Sequence, residues 1–384
     1  GSCDGNITGK GEMEDSMKAL ILSCNTGGGH NSAGKAIAET LIQQGDEAYV
    51  MDYLTLAGEG VSKLVGDGYV HIVKKTPKLF GVVYKLGMGV SRITRKSPVY
   101  YLNGRMAKYL DRYIQENPVD VIIMPHLYPA ETITYMKQKG IKLPLTVAVM
   151  TDYTCIPFWE ETDCDYYIAP HRMLIKPCVR RGLPKEKLIP LGIPVSQMCK
   201  RKISREAARE KLGLSLEKKY ILVAGGSMGA GDMKKLLEQL LEYSVSEELI
   251  VVCGSNAKME NQLKKLFAGK ERLTILGYTT QMTLYMKACD VLFTKPGGLT
   301  STEGAAVGIP MVHTDPIPGC ETANRKFFCK LGMSLSARTV KGQVNAGLKL
   351  LLDTEAASKM VERQRENVDP DAAEKICQFI RKKI

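Results

Sequence analysis

Short apolar runs recur along the chain, each followed by a polar, glycine-bearing loop and then by a stretch with helical spacing. Residues 17–23 (MKALILS) form the first run, which ends in a glycine cluster and leads into a helix expected over residues 30–44. Residues 47–51, 119–124, 145–150, 165–168 and 187–190 read as further strands. Their hydrophobicity is continuous rather than alternating, as parallel strands covered on both faces require. The pattern pauses near Gly192-Ile193-Pro194 and restarts with strands expected at 220–224, 249–253, 273–276, 291–294 and 310–312. Helical stretches at 232–242 and 256–268 separate them. Two successive series predict an α/β protein of two doubly wound domains. Ligands of open parallel sheets bind beyond the carboxyl ends of the strands, so two such domains face a central cleft.

One stretch breaks the rhythm. Residues 58–113 carry Lys74, Lys75, Lys78, Lys85, Arg92, Arg95 and Lys96 among Phe80 and other apolar and aromatic side chains, opposed only by Glu59, Asp67 and Asp111. A basic segment interleaved with apolar groups suits an anionic membrane surface. The alternative is a solvated helical face over ordinary core aromatics.

Composition narrows the class. A chain of 384 residues with 44% apolar and 24% charged positions is globular and long enough for two cores. Residues 1–16 are polar, without apolar period, and are expected to form a flexible tail. Eleven cysteines are scattered without a CxxC pair, which predicts reduced thiols in a cytoplasmic protein. The five histidines form no ligand-spaced cluster, so no protein-held metal is expected. No apolar run approaches the roughly 20 residues of a membrane span, so the chain is expected to be soluble or peripheral. The net charge of +12 favours an anionic partner.

Four loops hold the candidate chemistry. Thr26-Gly27-Gly28-Gly29-His30 joins a strand to a helix, where glycines admit close backbone approach and the helix start favours negative charge. Without GxGxxG spacing it is no dinucleotide fingerprint, and a plain tight turn is the alternative. Gly225-Gly226-Ser227-Met228-Gly229 has the same setting and lacks the Gly-Lys-Ser/Thr ending of a P-loop. In Lys295-Pro296-Gly297-Gly298-Leu299-Thr300-Ser301-Thr302-Glu303 the spacing predicts Thr300 as N-cap and Glu303 in the first turn, a capping box. The same carboxylate in a cleft would accept two ribose hydroxyls. In Pro318-Gly319-Cys320-Glu321-Thr322-Ala323-Asn324, Glu321 and Asn324 share one face of a helix start and suit sugar hydroxyls, with solvated capping residues as the alternative.

These pieces, in this order, resemble the monogalactosyldiacylglycerol synthases and processive diacylglycerol glucosyltransferases, and more distantly the peptidoglycan precursor N-acetylglucosaminyltransferase. The resemblance runs from about residue 17 to the C-terminus. It implies a GT-B fold of two Rossmann-like domains and an inverting, metal-independent hexosyltransferase without cofactor, using a UDP-hexose as substrate. The implied organisation is an acceptor and membrane domain over 17–195, a UDP-sugar domain over 196–368, and a terminal helix, 369–384, returning to the first domain. The resemblance places Gly28 and Gly29 near the donor, and Ser227, Met228 and Gly229 at its diphosphate. Gly297, Gly298, Leu299, Thr300 and Glu303 would form the ribose corner, Tyr278, Thr279 and Met282 would meet the uracil, and Glu321 and Asn324 would read the hexose.

Inversion also needs a base, for which His30 is the first candidate and Asp152, helped by His126, the second. His30 holding a phosphate or orienting the acceptor is the competing role. The expected acceptor is diacylglycerol or a related lipid at the inner face of the cell membrane, with nucleic acid excluded for want of any recognised module. The sequence departs from the family pattern at Ile156, where members carry a His four positions beyond the Asp, and at Cys320, where they commonly have Gln. A UDP-sugar 2-epimerase and a non-catalytic sugar-nucleotide or lipid sensor are the rival readings.

Overall fold

The computed structural model describes residues 15–24, 28–58, 82, 85–86, 96–225, 228 and 230–384. Lys74, Lys75, Lys78, Phe80, Arg92, Arg95, Ser227 and Gly229 lie outside the described residues, as do positions 1–14 of the expected tail. The side chain of His30 lies outside them too, although its backbone is part of a helix.

Two six-stranded parallel sheets, each flanked by helices, make the architecture α/β. The first sheet contains β1 (Lys18–Ser23), β2 (Glu47–Asp52), β3 (Val121–Met124), β4 (Leu145–Val149), β5 (Tyr166–Ile168) and β6 (Leu188–Ile189), in the order β2-β1-β3-β4-β5-β6. The second contains β7 (Tyr220–Ala224), β8 (Glu248–Val252), β9 (Leu273–Leu276), β10 (Val291–Thr294), β11 (Met311–His313) and β12 (Leu335–Ser336), in the order β12-β11-β10-β7-β8-β9. Every ladder is parallel, and the buried residues of β1, β3, β7 and β10 explain their unbroken apolar runs.

Strand order fixes where ligands can sit. In each sheet the winding reverses once, between β1 and β3 in the first and between β7 and β10 in the second. The crevice beyond the strand ends opens at such a reversal. Three of the four glycine- and polar-rich loops, those after β1, β7 and β10, therefore emerge at switch points, and the fourth follows β11 beside β10.

Two of the contacts between the halves bear on the site. The C-terminal helix Ala372–Arg381 packs against the helix Gly28–Gln43, and its Ile376, Cys377 and Ile380 share one core with Ala19, Ile21, Ile37 and Leu41. Arg381 pairs with the buried Asp46, which also accepts a 3.0 Å bond from the Met17 N–H. The second joint is Tyr153, which follows β4 yet belongs to the core of the second half. Its ring stacks on Phe327 with centroids 4.8 Å apart and meets Phe328 edge-on at 5.0 Å. Burying a side chain of this size contributes about 1.5–3 kcal/mol, and each aromatic pair adds roughly 0.5–1.5 kcal/mol.

Some sequence expectations need correction. The helix after β10 spans Gly298–Val307 with Gly297 as N-cap and no side-chain cap, so Thr300 and Glu303 form no capping box. Glu303 lies in the second turn. The helix starts three residues earlier than expected, with Gly297 rather than Thr300 as N-cap, because Gly298, lacking a Cβ, can lie against the first half. Lys96, expected at a membrane surface, turns inward: its Nζ donates to the Glu161 carbonyl at 2.6 Å and lies 4.7 Å from the centre of the Tyr100 ring. The two-residue strand β12 was too short to show an apolar run.

Candidate functional site between the two sheets

The site is built from strand ends. After β4 the chain runs Met150-Thr151-Asp152-Tyr153, and Lys295-Pro296-Gly297-Gly298 follows β10 opposite it. A Cβ placed on Gly298 would lie 1.8 Å from the Thr151 carbonyl oxygen and 3.2 Å from Asp152 Oδ1, so only glycine fits. No Cβ conflict exists at the neighbouring Gly297.

Asn324, in the helix Cys320–Lys330, closes the contact. Its Nδ2 donates to Asp152 Oδ1 at 2.9 Å and to the Pro296 carbonyl at 3.0 Å, while its Oδ1 accepts from the Tyr153 N–H at 2.7 Å. Asn324 is fully buried, and both amide hydrogens are spent. Solvated capping is thereby excluded for it, and in this arrangement only one Oδ1 lone pair is left over for a sugar hydroxyl. Below it, the Thr302 hydroxyl donates to the Gly298 carbonyl at 2.6 Å and contacts the Tyr153 hydroxyl at 2.6 Å.

Two carboxylates flank this junction. Glu321, in the first turn of the same helix as Asn324, accepts from the Ile317 N–H at 2.9 Å. Burial raises its affinity for a proton; the Ile317 bond and the nearby charge of Lys295 oppose that, and the Asp152 charge adds to it. Glu303 is partly buried, and desolvation pushes its carboxyl up to about 7. A carboxylate so placed gains most from neutral hydroxyl donors such as those of a ribose.

The remaining candidates are distributed as follows. Gly28, Gly29 and His30 form the first turn of the helix Gly28–Gln43, which packs against Gly298–Val307. Met228 is buried, its N–H donating to the Gly225 carbonyl at 2.9 Å, so that amide is used within the turn. Leu299 is buried in the second core. Tyr278 is 74% exposed beyond β9, Thr279 Oγ1 accepts from the Gln281 N–H at 3.0 Å, and Met282 opens the next helix. His126 caps the helix Leu127–Gln138 by accepting the Tyr128 N–H on Nδ1 at 3.1 Å. It emerges at the switch point of the first sheet, as β3 ends two residues earlier. Lys85 is exposed, beside the exposed Val82 and Leu86.

Sequence reasoning passed over Tyr153, Thr302 and Lys295 as site residues. The signal for Tyr153 was a large aromatic directly after a strand-end Asp, which only tertiary contacts make informative. Among the described residues no group of three or more His, Cys, Asp or Glu side chains is placed to hold a metal ion.

Comparison with known proteins bears out the resemblance drawn from the motifs. Residues 30–195 match the monogalactosyldiacylglycerol (MGDG) synthase family, and residues 220–324 match the glycosyltransferase family 28 C-terminal domain. The chain is 29% identical over 358 residues to a processive diacylglycerol beta-glucosyltransferase of Bacillus pumilus (strain SAFR-032), covering 92% of this chain and 91% of that protein. Its fold superposes on Acinetobacter baumannii MurG with a TM-score of 0.60 at 18% identity, covering 95% and 99% of the two chains. A UDP-GlcNAc 2-epimerase from Neisseria meningitidis bound to UDP-GlcNAc gives a TM-score of 0.59 at 11% identity, covering 95% and 100%. The architecture is GT-B.

Proposed function

We propose, for a hexosyltransferase of GT-B fold whose halves match the MGDG synthase and family 28 glycosyltransferase descriptions, transfer of a hexose from a UDP-sugar to diacylglycerol or a related lipid. The observation that carries this reading is the meeting of β4's end, with Asp152, and the donor-side loops at Gly298 and Asn324. The relatives' names supply the acceptor class.

The chemistry is an inverting displacement. The acceptor hydroxyl oxygen bonds to the anomeric carbon as the bond from that carbon to the β-phosphate oxygen breaks. UDP departs with the electron pair, and the hydroxyl proton passes to a base. His30 at the helix start after β1 and Asp152 after β4 are the two candidates for that base. Glu303 takes the ribose hydroxyls and Glu321 faces the hexose. With no metal required, the charge developing on UDP is met by the helix starts and loop amides after β7 and β10, Ser227 and Gly229 included, and by Lys295. The acceptor is lipid-borne, so the enzyme works as a peripheral protein on the cytoplasmic face of the membrane, docked through its basic segment. No helix among the described residues is long and apolar enough to cross a membrane.

Incubating the protein with mixed UDP-hexoses and diacylglycerol-containing lipid extract, followed by mass analysis, tests this reading. A hexosyl-lipid is expected. Isomerised UDP-sugar without any lipid product would instead make the protein an epimerase, a fold-sharing alternative.

A further inference from the structure

The contact around Asn324 does more than join two domains. Two segments of the second half converge on residues 151–153 of the first: the loop after β10, by the close approach of Gly298, and Asn324 through its carboxamide, which also donates to the Pro296 carbonyl of that loop. Asp152 is the acidic side chain at that point, and the Asn324 amide fixes one of its oxygens at 2.9 Å. The same amide group is oriented from below, because its oxygen is held by the Tyr153 N–H and its other hydrogen by Pro296. A carboxamide with three bonds in fixed directions cannot rotate, so it sets the direction of the Asp152 carboxylate. The groups facing Asp152 from the second half are Asn324, Glu321 and Cys320, with Lys295 beyond Glu321; Tyr153 adjoins it in the chain.

We propose that Asn324 is a positioning residue, acting from the donor half to hold Asp152 in the orientation that serves the acceptor hydroxyl. Donor binding and acceptor activation are then coupled, since Glu321 and Asn324 lie one turn apart on the same helix. The coupling rests on the reading of Asp152 as a group that acts on the acceptor, and it assigns Asn324 a task other than recognising the hexose.

A double-mutant cycle tests it, with Asp152→Asn, Asn324→Ala, Asn324→Asp and the double variant Asp152→Asn/Asn324→Ala. The readouts are transfer to diacylglycerol in vesicles, donor KM, UDP affinity and thermal stability. The expected result is a loss in kcat of roughly 10–100-fold for Asn324→Ala, with UDP affinity within about twofold of wild type. In the Asp152→Asn background the same substitution should add no more than about twofold, because its effect passes through Asp152. Asn324→Asp keeps the shape and the acceptor for Tyr153 but sets a second carboxylate beside Asp152. It should move the acidic limb of the kcat profile upward by about one pH unit. A purely structural role would lower thermal stability without moving that limb.

Losses that multiply in the double variant, or a rise in donor KM at unchanged kcat, would overturn the proposal in favour of a hexose contact. Wild-type turnover in Asp152→Asn would overturn it as well, by removing Asp152 from the reaction. Failure of the broader reading looks different: the wild-type protein itself would then form no glycolipid.

Discussion

At the scale of single residues, Glu303 gives the sharpest prediction. Burial holds its carboxyl at about 7, above the ordinary carboxylate value of 4.5. The sign follows from linkage: stability associated with the protonated form is complete below the ordinary value and is lost as pH rises through about 7. In the proposed ribose site the hydroxyls would bind the ionised form, so ligand affinity should change in the opposite direction. Uridine, which has no phosphate titrating in this range, should bind about tenfold more weakly at pH 6 than at pH 8 by calorimetry. Glu303→Gln should flatten that dependence and raise the melting temperature of the free protein at pH 8 more than at pH 5. A pH-independent uridine affinity in the wild type would remove Glu303 from the ribose site.

At the scale of elements, the start of the helix Gly298–Val307 is set by tertiary contact rather than by capping. Gly298→Ala forces a methyl group onto the Thr151 carbonyl, and the backbone there cannot yield without parting the halves. Overpacking of this kind costs about 1–3 kcal/mol, so a fall in melting temperature with at least about tenfold loss of kcat is expected. Gly297→Ala meets no protein atom and should leave the melting temperature near that of the wild type.

A second element-scale prediction concerns the helix Leu127–Gln138. Its Glu131 is wholly buried against Glu161, and burial together with that partner pushes Glu131 up to about 11. Glu161 is engaged by Ser97 through its N–H at 2.7 Å and its hydroxyl at 2.5 Å. Glu131 therefore keeps its proton at neutral pH, at a cost that grows as pH rises above 4.5 towards 11. Glu131→Gln removes the titrating group and should raise the melting temperature progressively between pH 5 and pH 9. A constant difference across that range would contradict this pairing.

These elements also show what the chain discloses before it is folded. The strands were legible because residues such as Leu20–Leu22 and Ile221–Val223 are buried on both faces and so leave unbroken apolar runs. The site loops were legible because glycine and polar residues follow those runs directly. The helix start at Gly298 was not, since Thr300 and Glu303 satisfy a local capping rule that the Thr151 contact overrides. Nor was the commitment of Asn324, because its partners Asp152 and Tyr153 lie more than 170 residues away in sequence. Local rules carry no information about contacts of that separation.

At the scale of the whole molecule, the two joints differ in kind. The C-terminal helix anchors the first half permanently through an apolar face and the Arg381–Asp46 pair. Removing Arg381 leaves a buried carboxylate unpaired, and Arg381→Ala should destabilise the protein by about 1–3 kcal/mol in denaturant unfolding. An unchanged midpoint would show that the pair contributes nothing. The junction at Asp152, Gly298 and Asn324 is polar and small, and it brings the end of β4 against the loops after β10 and β11. In the proposed reaction this is where the two substrates meet.

The central claim is most directly tested by the stereochemistry and stoichiometry of turnover on diacylglycerol vesicles with a single purified UDP-hexose. The account predicts one UDP released per hexosyl-lipid formed, with the α-linked donor giving a β-linked glycolipid by NMR. Retention of the α linkage, or UDP-sugar consumed without any glycolipid, would contradict it.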